Sequence, residues 1–397
     1  MRRLFVEFCT FCMPAAVSIA AFLVPSVAQT QGAFYLASDQ ELVGAPGTVI
    51  RREPIRFAPA GASAYRVLYR SKGLNDEAIA TSGIIVIPPG SPPEGGRPIV
   101  AWAHPTTGIV PRCAPSLALF HFQQIQGLRN MIEHGFIVAA TDYPGLGTVG
   151  PHPYLVGISE GRAVLDSVRA ARAIAGLGGG TRFGVWGHSQ GGQASLYAGL
   201  LAESYAPELT LVGVAAAAPA TDLATLLDDD FKTVGGKNIT AMTLWSWSRV
   251  YGAPIKQVVE PLAMPVIDRL AEECIESIVD WLIRQRIERP LELSFLSAKN
   301  LATVEPWRSL ALRNTAATLP ASVPIFLAQG GSDELVRPTV TEKYMNDLCR
   351  SGSKVRMMLV PGVGHGPIAR DSAEAAIQWM AERFAGVPAP NNCGQRQ

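Results

Sequence analysis

The chain has 397 residues, 48% hydrophobic and 17% charged, with a formal net charge of +1. That length suits two average domains, or one large α/β domain carrying an insertion, and supplies apolar residues for a sizeable core. So even a charge balance gives no reason to expect a nucleic-acid partner or an electrostatically held membrane.

The first 28 residues read as a cleavable export signal. Arg2 and Arg3 form the positive end, an apolar stretch follows over about 11–24, and Ser26-Val27-Ala28 offers small residues for cleavage. Pro14 interrupts the stretch, which is short for a membrane span. The expected location is therefore secreted or periplasmic. Removing the signal takes away Arg2, Arg3, Glu7, Cys9 and Cys12. Four cysteines remain, Cys113, Cys274, Cys349 and Cys393, and in an exported chain they permit two disulfides in three pairings. They show no C-x-x-C spacing and no neighbouring histidine, so neither a metal nor another cofactor is expected.

Strand-like stretches follow at 64–69, 79–87 and 99–103, with a Pro/Gly-rich loop over 88–98. Alternation then begins. Helical spacing over 117–133 precedes a strand at 136–140, a helix over 160–175 precedes a strand at 183–186, and a helix over 190–204 precedes a strand at 211–215. Such alternation predicts an α/β fold with a mostly parallel sheet flanked by helices. The strands are almost continuously apolar, as a sheet covered on both faces requires. From 221 to 320 no strand pattern is found; helical spacing dominates, for example at 240–250 and 265–286. This stretch reads as a helical cap or lid inserted into the core. Its aromatic residues, Trp245, Trp247, Tyr251, Trp281 and Trp307, are better explained by packing within the cap than by direct substrate contact. A strand at 323–327, a helix at 339–349, a strand at 355–360 and a helix at 373–384 complete the chain. The expected organisation is thus a signal (1–28), a core in two parts (29–220 and 321–397) and the cap (221–320).

Two segments match G-x-S-x-G, the strand-to-helix turn that holds a serine hydroxyl over a sheet edge: Gly187-His188-Ser189-Gln190-Gly191 and Gly157-Ile158-Ser159-Glu160-Gly161. Context separates them. Ser189 follows an apolar strand and precedes Gly191, Gly192 and Ala194, which allow close packing of a helix on the sheet. Ser159 reads instead as a residue capping the N-terminus of an ordinary helix. A serine hydroxyl needs a base oriented by a carboxylate, in the chain order serine, acid, histidine on this type of sheet. His365, on the glycine-rich loop after the strand at 355–360, is the only histidine beyond the cap. The acid is expected on the loop Gly330-Gly331-Ser332-Asp333-Glu334, with Asp333 preferred over Glu334. The amide of Gln190 is the expected first oxyanion donor. The second falls in His104-Pro105-Thr106-Thr107-Gly108; Pro105 has no N–H, so Thr106 is expected to donate, ahead of Thr107. His104 reads as a structural anchor of that turn.

Taken with Cys113-Ala114-Pro115-Ser116, Thr141-Asp142-Tyr143-Pro144-Gly145-Leu146-Gly147, His152-Pro153-Tyr154-Leu155 and Asp166-Ser167-Val168-Arg169-Ala170-Ala171, these segments make residues 45–385 resemble the secretory lipases of the α/β-hydrolase superfamily, the Candida-type lipase A group. The resemblance implies an α/β-hydrolase fold, a Ser189–Asp333–His365 triad and a helical lid over an acyl tunnel. It also implies a disulfide from Cys113 to the cap, for which Cys274 is the candidate, leaving Cys349 and Cys393 as the second pair. The expected activity is hydrolysis of acyl esters, acylglycerols above all, with transient contact between cap and lipid. The alternatives are an α/β-hydrolase of other specificity, such as a peptidase or aryl esterase, and a catalytically silent secreted binding protein.

Overall fold

Strands with apolar side chains on both faces are stable only inside a covered sheet, and two strands of this chain, at 137–141 and 325–330, are buried along their whole length. The computed structural model describes residues 32–394 apart from 175–177, 231–232, 276–277 and 299. The expected signal, with Cys9 and Cys12, lies outside the described residues, as does the Trp281 side chain. In chain order the elements are α1 (Asp39–Leu42), β1 (Val49–Ile55), β2 (Ser63–Lys72), β3 (Ala78–Ile87), β4 (Arg97–Ala103), α2 (Leu128–Glu133), β5 (Ile137–Thr141), α3 (Gly157–Ala173), β6 (Gly179–His188), α4 (Gln190–Tyr205) and β7 (Thr210–Ala217). Then come α5 (Leu223–Asp230), α6 (Val234–Val250), α7 (Met264–Ala271), α8 (Ile278–Glu288), α9 (Trp307–Arg313), β8 (Ile325–Gly330), α10 (Pro338–Arg350), β9 (Val355–Val360) and α11 (Ile368–Phe384).

The nine strands form one sheet in the order β1-β2-β3-β5-β4-β6-β7-β8-β9. The first three and the β3–β5 junction are antiparallel, and from β5 onward every pairing is parallel. Helices α3, α4 and α10 cover one face; α2 and α11 cover the other, with Trp379 of α11 against Phe326 of β8. The expected α/β class and mostly parallel sheet are therefore present. Between β7 and β8 the described residues hold helices and one isolated bridge, Val259 to Leu296. Residues 31–397 form one compact unit. No helix among the described residues is long and apolar enough to cross a membrane.

Three local expectations need correction. Over 117–133 there is no long helix, only 3-10 turns and the six-residue α2, because Gly127 takes a left-handed φ of 78° and starts the helix afresh. The helix expected at 265–286 is two helices, broken where Cys274 is drawn into a disulfide with Cys113. Strand β1 was not expected; its charges and Pro54 hide it, and both belong to an edge strand.

Candidate active site

The site is assembled at the carboxyl ends of β4, β6, β8 and β9, where open α/β sheets bind their ligands. Ser189 joins β6 to α4 with φ 56° and ψ −116°, a conformation that costs a non-glycine residue about 1–3 kcal/mol. The turn is tight enough to dictate its flanking glycines. A Cβ on Gly191 would lie 1.9 Å from the Ala103 carbonyl oxygen, and one on Gly187 would lie 2.2 Å from that of Gly191. The helix can thus start directly against the end of β4, while the Ser189 amide donates to Ala217 of β7 at 2.9 Å.

Ser189, His365 and Asp333 come together from three separate loops. His365 Nδ1 donates to Asp333 Oδ2 at 2.8 Å, which leaves Nε2 as the acceptor; the Ser189 hydroxyl donates to it, also at 2.8 Å. Asp333 is buried and fully engaged: Oδ1 accepts from the Leu335 and Val336 amides at 2.9 Å each, and Oδ2 also accepts from the Gln329 amide at 3.2 Å. Glu334 faces solvent. His188, within the elbow, carries no signal of a role in the sequence alone. Its Nε2 donates to the His365 carbonyl at 3.0 Å, so it holds the histidine loop from below, and burial pushes its own pKa down to about 3.

Of the expected oxyanion donors, Gln190 directly follows Ser189 and Thr106 lies on the loop after β4. Gln190 is the first residue of α4, where amides lack intrahelical acceptors. Thr106 is half-buried and its Oγ1 lies 2.8 Å from the Tyr154 hydroxyl. Thr107 is turned inward, with its hydroxyl on the Cys113 carbonyl at 2.8 Å and its own carbonyl accepting from Ile275 at 2.7 Å. His104 is buried and anchors the turn: Nδ1 meets the Pro105 carbonyl at 2.6 Å and Nε2 lies 3.3 Å from that of Asp142. Burial pushes its pKa down to about 4.

Ser189 and Gln190 open onto an apolar pocket walled by Leu223, Leu226 and Leu227 of α5, Ile239 and Trp247 of α6, and Val336 of the acid loop. The aromatics of the insertion chiefly pack on one another. Trp247 stacks with Trp307 at 6.5 Å, yet it also forms pocket wall and donates from Nε1 to the Tyr154 carbonyl at 2.9 Å. Disulfides join Cys113 to Cys274 and Cys349 to Cys393.

Ser159 sits in the first turn of α3 but caps nothing: its hydroxyl is buried without a partner. Its neighbour Glu160 matters more. Glu160 is fully buried, and its Oε1 accepts from the Leu155 amide at 2.9 Å and from the Gln190 side-chain amide at 2.7 Å, while Oε2 has no partner. A helix N-terminus favours an anion by up to ~2 kcal/mol. Complete burial with one oxygen lacking a donor outweighs that. Burial accordingly pushes the Glu160 carboxyl up to about 8. The same Gln190 nitrogen lies 3.0 Å from Nε2 of buried His152, whose Nδ1 donates to Pro144 at 2.8 Å. In the sequence Glu160 stands only as a neighbour of Ser159 in the second G-x-S-x-G match. No sequence signal set it apart, because α3 also carries Arg162, Asp166, Arg169 and Arg172.

The secretory lipase family model matches residues 123–392, more than half of the chain. The chain belongs to the secretory lipase family. A secreted triacylglycerol lipase of Malassezia globosa is 25% identical over 374 residues, covering 88% of this chain and 78% of the relative. A Mycobacterium tuberculosis relative, 26% identical over 373 residues and covering 86% and 79%, bears the name probable inactive lipase. In structure, the chain resembles Candida antarctica lipase A in its closed state, with a TM-score of 0.76 at 18% identity over 91% and 89% of the two chains. The rice cell wall degrading esterase of Xanthomonas oryzae follows at 0.68 and 20%, over 87% and 97%. Those likenesses establish the α/β-hydrolase fold, and membership of the family supports an ester hydrolase of lipase or esterase type.

Proposed function

We propose that the chain is an exported serine carboxylic-ester hydrolase acting on acyl esters, acylglycerols among them, with 221–320 serving as a cap over the core. The observation that carries this reading is the unbroken chain of hydrogen bonds from Ser189 through His365 to Asp333 at the mouth of an apolar pocket. Ser189 Oγ attacks the ester carbonyl carbon while His365 Nε2 takes its proton. The oxyanion is received by the Gln190 and Thr106 amides. The C–O bond then breaks, and His365 returns the proton to the departing alcohol. Water repeats the sequence on the acyl-enzyme and releases the acid. The leucines of α5 suit a hydrocarbon chain better than a peptide side chain carrying charge.

Hydrolysis of p-nitrophenyl esters from acetate to palmitate, by wild type and Ser189→Ala in parallel, tests this reading. The expected result is hydrolysis extending to long chains, with kcat lower by about 10⁴-fold or more in the variant. A folded wild type without activity on any ester would overturn it. The name of the Mycobacterium tuberculosis relative gives a second reading, a silent binding protein. Under that reading a fluorophosphonate probe leaves Ser189 unlabelled.

A further inference from the structure

Both proposed oxyanion donors are held from behind, and the supports converge on one strap, residues 152–155. Thr106 meets it through the Tyr154 hydroxyl. Gln190 meets it through His152. The pocket-wall helix α6 meets it through Ser246, whose hydroxyl donates to the His152 carbonyl at 2.7 Å and accepts from the Tyr154 amide at 3.1 Å, and through Trp247. Under the strap lies Glu160, with a single oxygen gripping both Leu155 of the strap and the side chain of Gln190. The two N–H groups of that Gln190 amide are thus claimed by two acceptors, Glu160 Oε1 and His152 Nε2, so the side chain has one orientation. Tyr154, Leu155 and Gln190 all line the pocket as well.

We propose that Glu160 is a positioning residue for ester hydrolysis: as a neutral acid it locks Gln190 and the 152–155 strap, and through them the oxyanion hole and the adjoining pocket wall. This inference rests on the catalytic reading above. Its consequence is a limit on the alkaline side. The titratable groups facing Glu160 are His152 from the strap, Tyr143 after β5, Tyr197 of α4 and Tyr251 after α6. None is a cation at neutral pH, since burial pushes His152 down to about 3. Once Glu160 loses its proton, nothing beside it neutralises the charge, and the new anion opposes the oxyanion forming on the substrate carbonyl.

The experiment compares wild type, Glu160→Gln, Glu160→Leu and Ser189→Ala as full exported chains. It follows kcat and KM for p-nitrophenyl butyrate from pH 5.5 to 9.5, with circular dichroism as a check on folding. Wild type is expected to lose rate above about pH 8. Glu160→Gln keeps the shape and neutrality of the acid, so its kcat at pH 7 should stay within about threefold and the alkaline decline should vanish. Glu160→Leu, if folded, should lose kcat by about tenfold or more with KM little changed, as expected when donors shift by a fraction of an ångström. Wild-type kcat in folded Glu160→Leu, a tenfold loss at pH 7 in Glu160→Gln, or an undiminished alkaline decline in Glu160→Gln would each overturn the inference. An active wild type silenced by Ser189→Ala but indifferent to both Glu160 changes sinks the inference alone. An inactive wild type sinks the catalytic reading with it.

Discussion

Adjacent carboxylates can have opposite fates, as Asp333 and Glu334 do. Asp333 receives two main-chain amides and one side-chain amide besides His365, whereas Glu334 points into water. Asp333→Asn should therefore cost about 10⁴-fold in kcat by losing the carboxylate that orients His365 and steadies its imidazolium, while Glu334→Gln should change it by less than about twofold. Steady-state kinetics on one soluble ester decides both. The positions of Ser189, Asp333 and His365 were legible because their motif, chain order and loop chemistry each narrow the choice. The parts played by His188, His152 and Glu160 were not. A lone hydrogen bond to a carbonyl leaves no pattern in sequence, and desolvation arises only when α3 and α4 close over the carboxyl.

Helices α5 and α6 shape the pocket from above, and α5 is tied to the core by charge at both ends: Asp222 pairs with Lys343 at 3.0 Å and Asp229 pairs with Arg337, next to the acid loop. Thr243, buried on α6 with its hydroxyl on the Ile239 carbonyl, lines the pocket. Thr243→Phe should fill that space and lower kcat/KM for p-nitrophenyl palmitate by about tenfold or more, with acetate nearly unaffected. Equal effects on both esters would place the acyl chain elsewhere. At this scale the sheet was readable because buried parallel strands are continuous apolar runs. Strand β1 was not, since an edge tolerates Arg51, Arg52, Glu53 and Pro54. The break between α7 and α8 leaves no mark in the local helical spacing, since it forms where Cys274 bonds to a cysteine 161 residues away.

For the molecule as a whole, buried titratable groups set opposing limits on stability. His104, His152 and His188 are held well below the ordinary 6.5, so the unfolded chain binds more protons and stability is lost as pH falls below about 6.5. Glu160 is raised from 4.5 to about 8, so there the native form binds more protons and stability drains away as pH climbs through that range. Thermal melts should give a maximum Tm near pH 6–7 in wild type, with the fall toward pH 8 reduced in Glu160→Gln. A Tm that kept rising to pH 9 would contradict this balance. The bond between Cys113 and Cys274 has a different consequence. It closes a covalent ring containing Ser189, α5 and α6, with Asp333 and His365 outside it. A protease that severs one peptide bond inside the ring opens a loop without releasing a fragment. Damage by a single such cut would stay hidden on a non-reducing gel until a thiol is added.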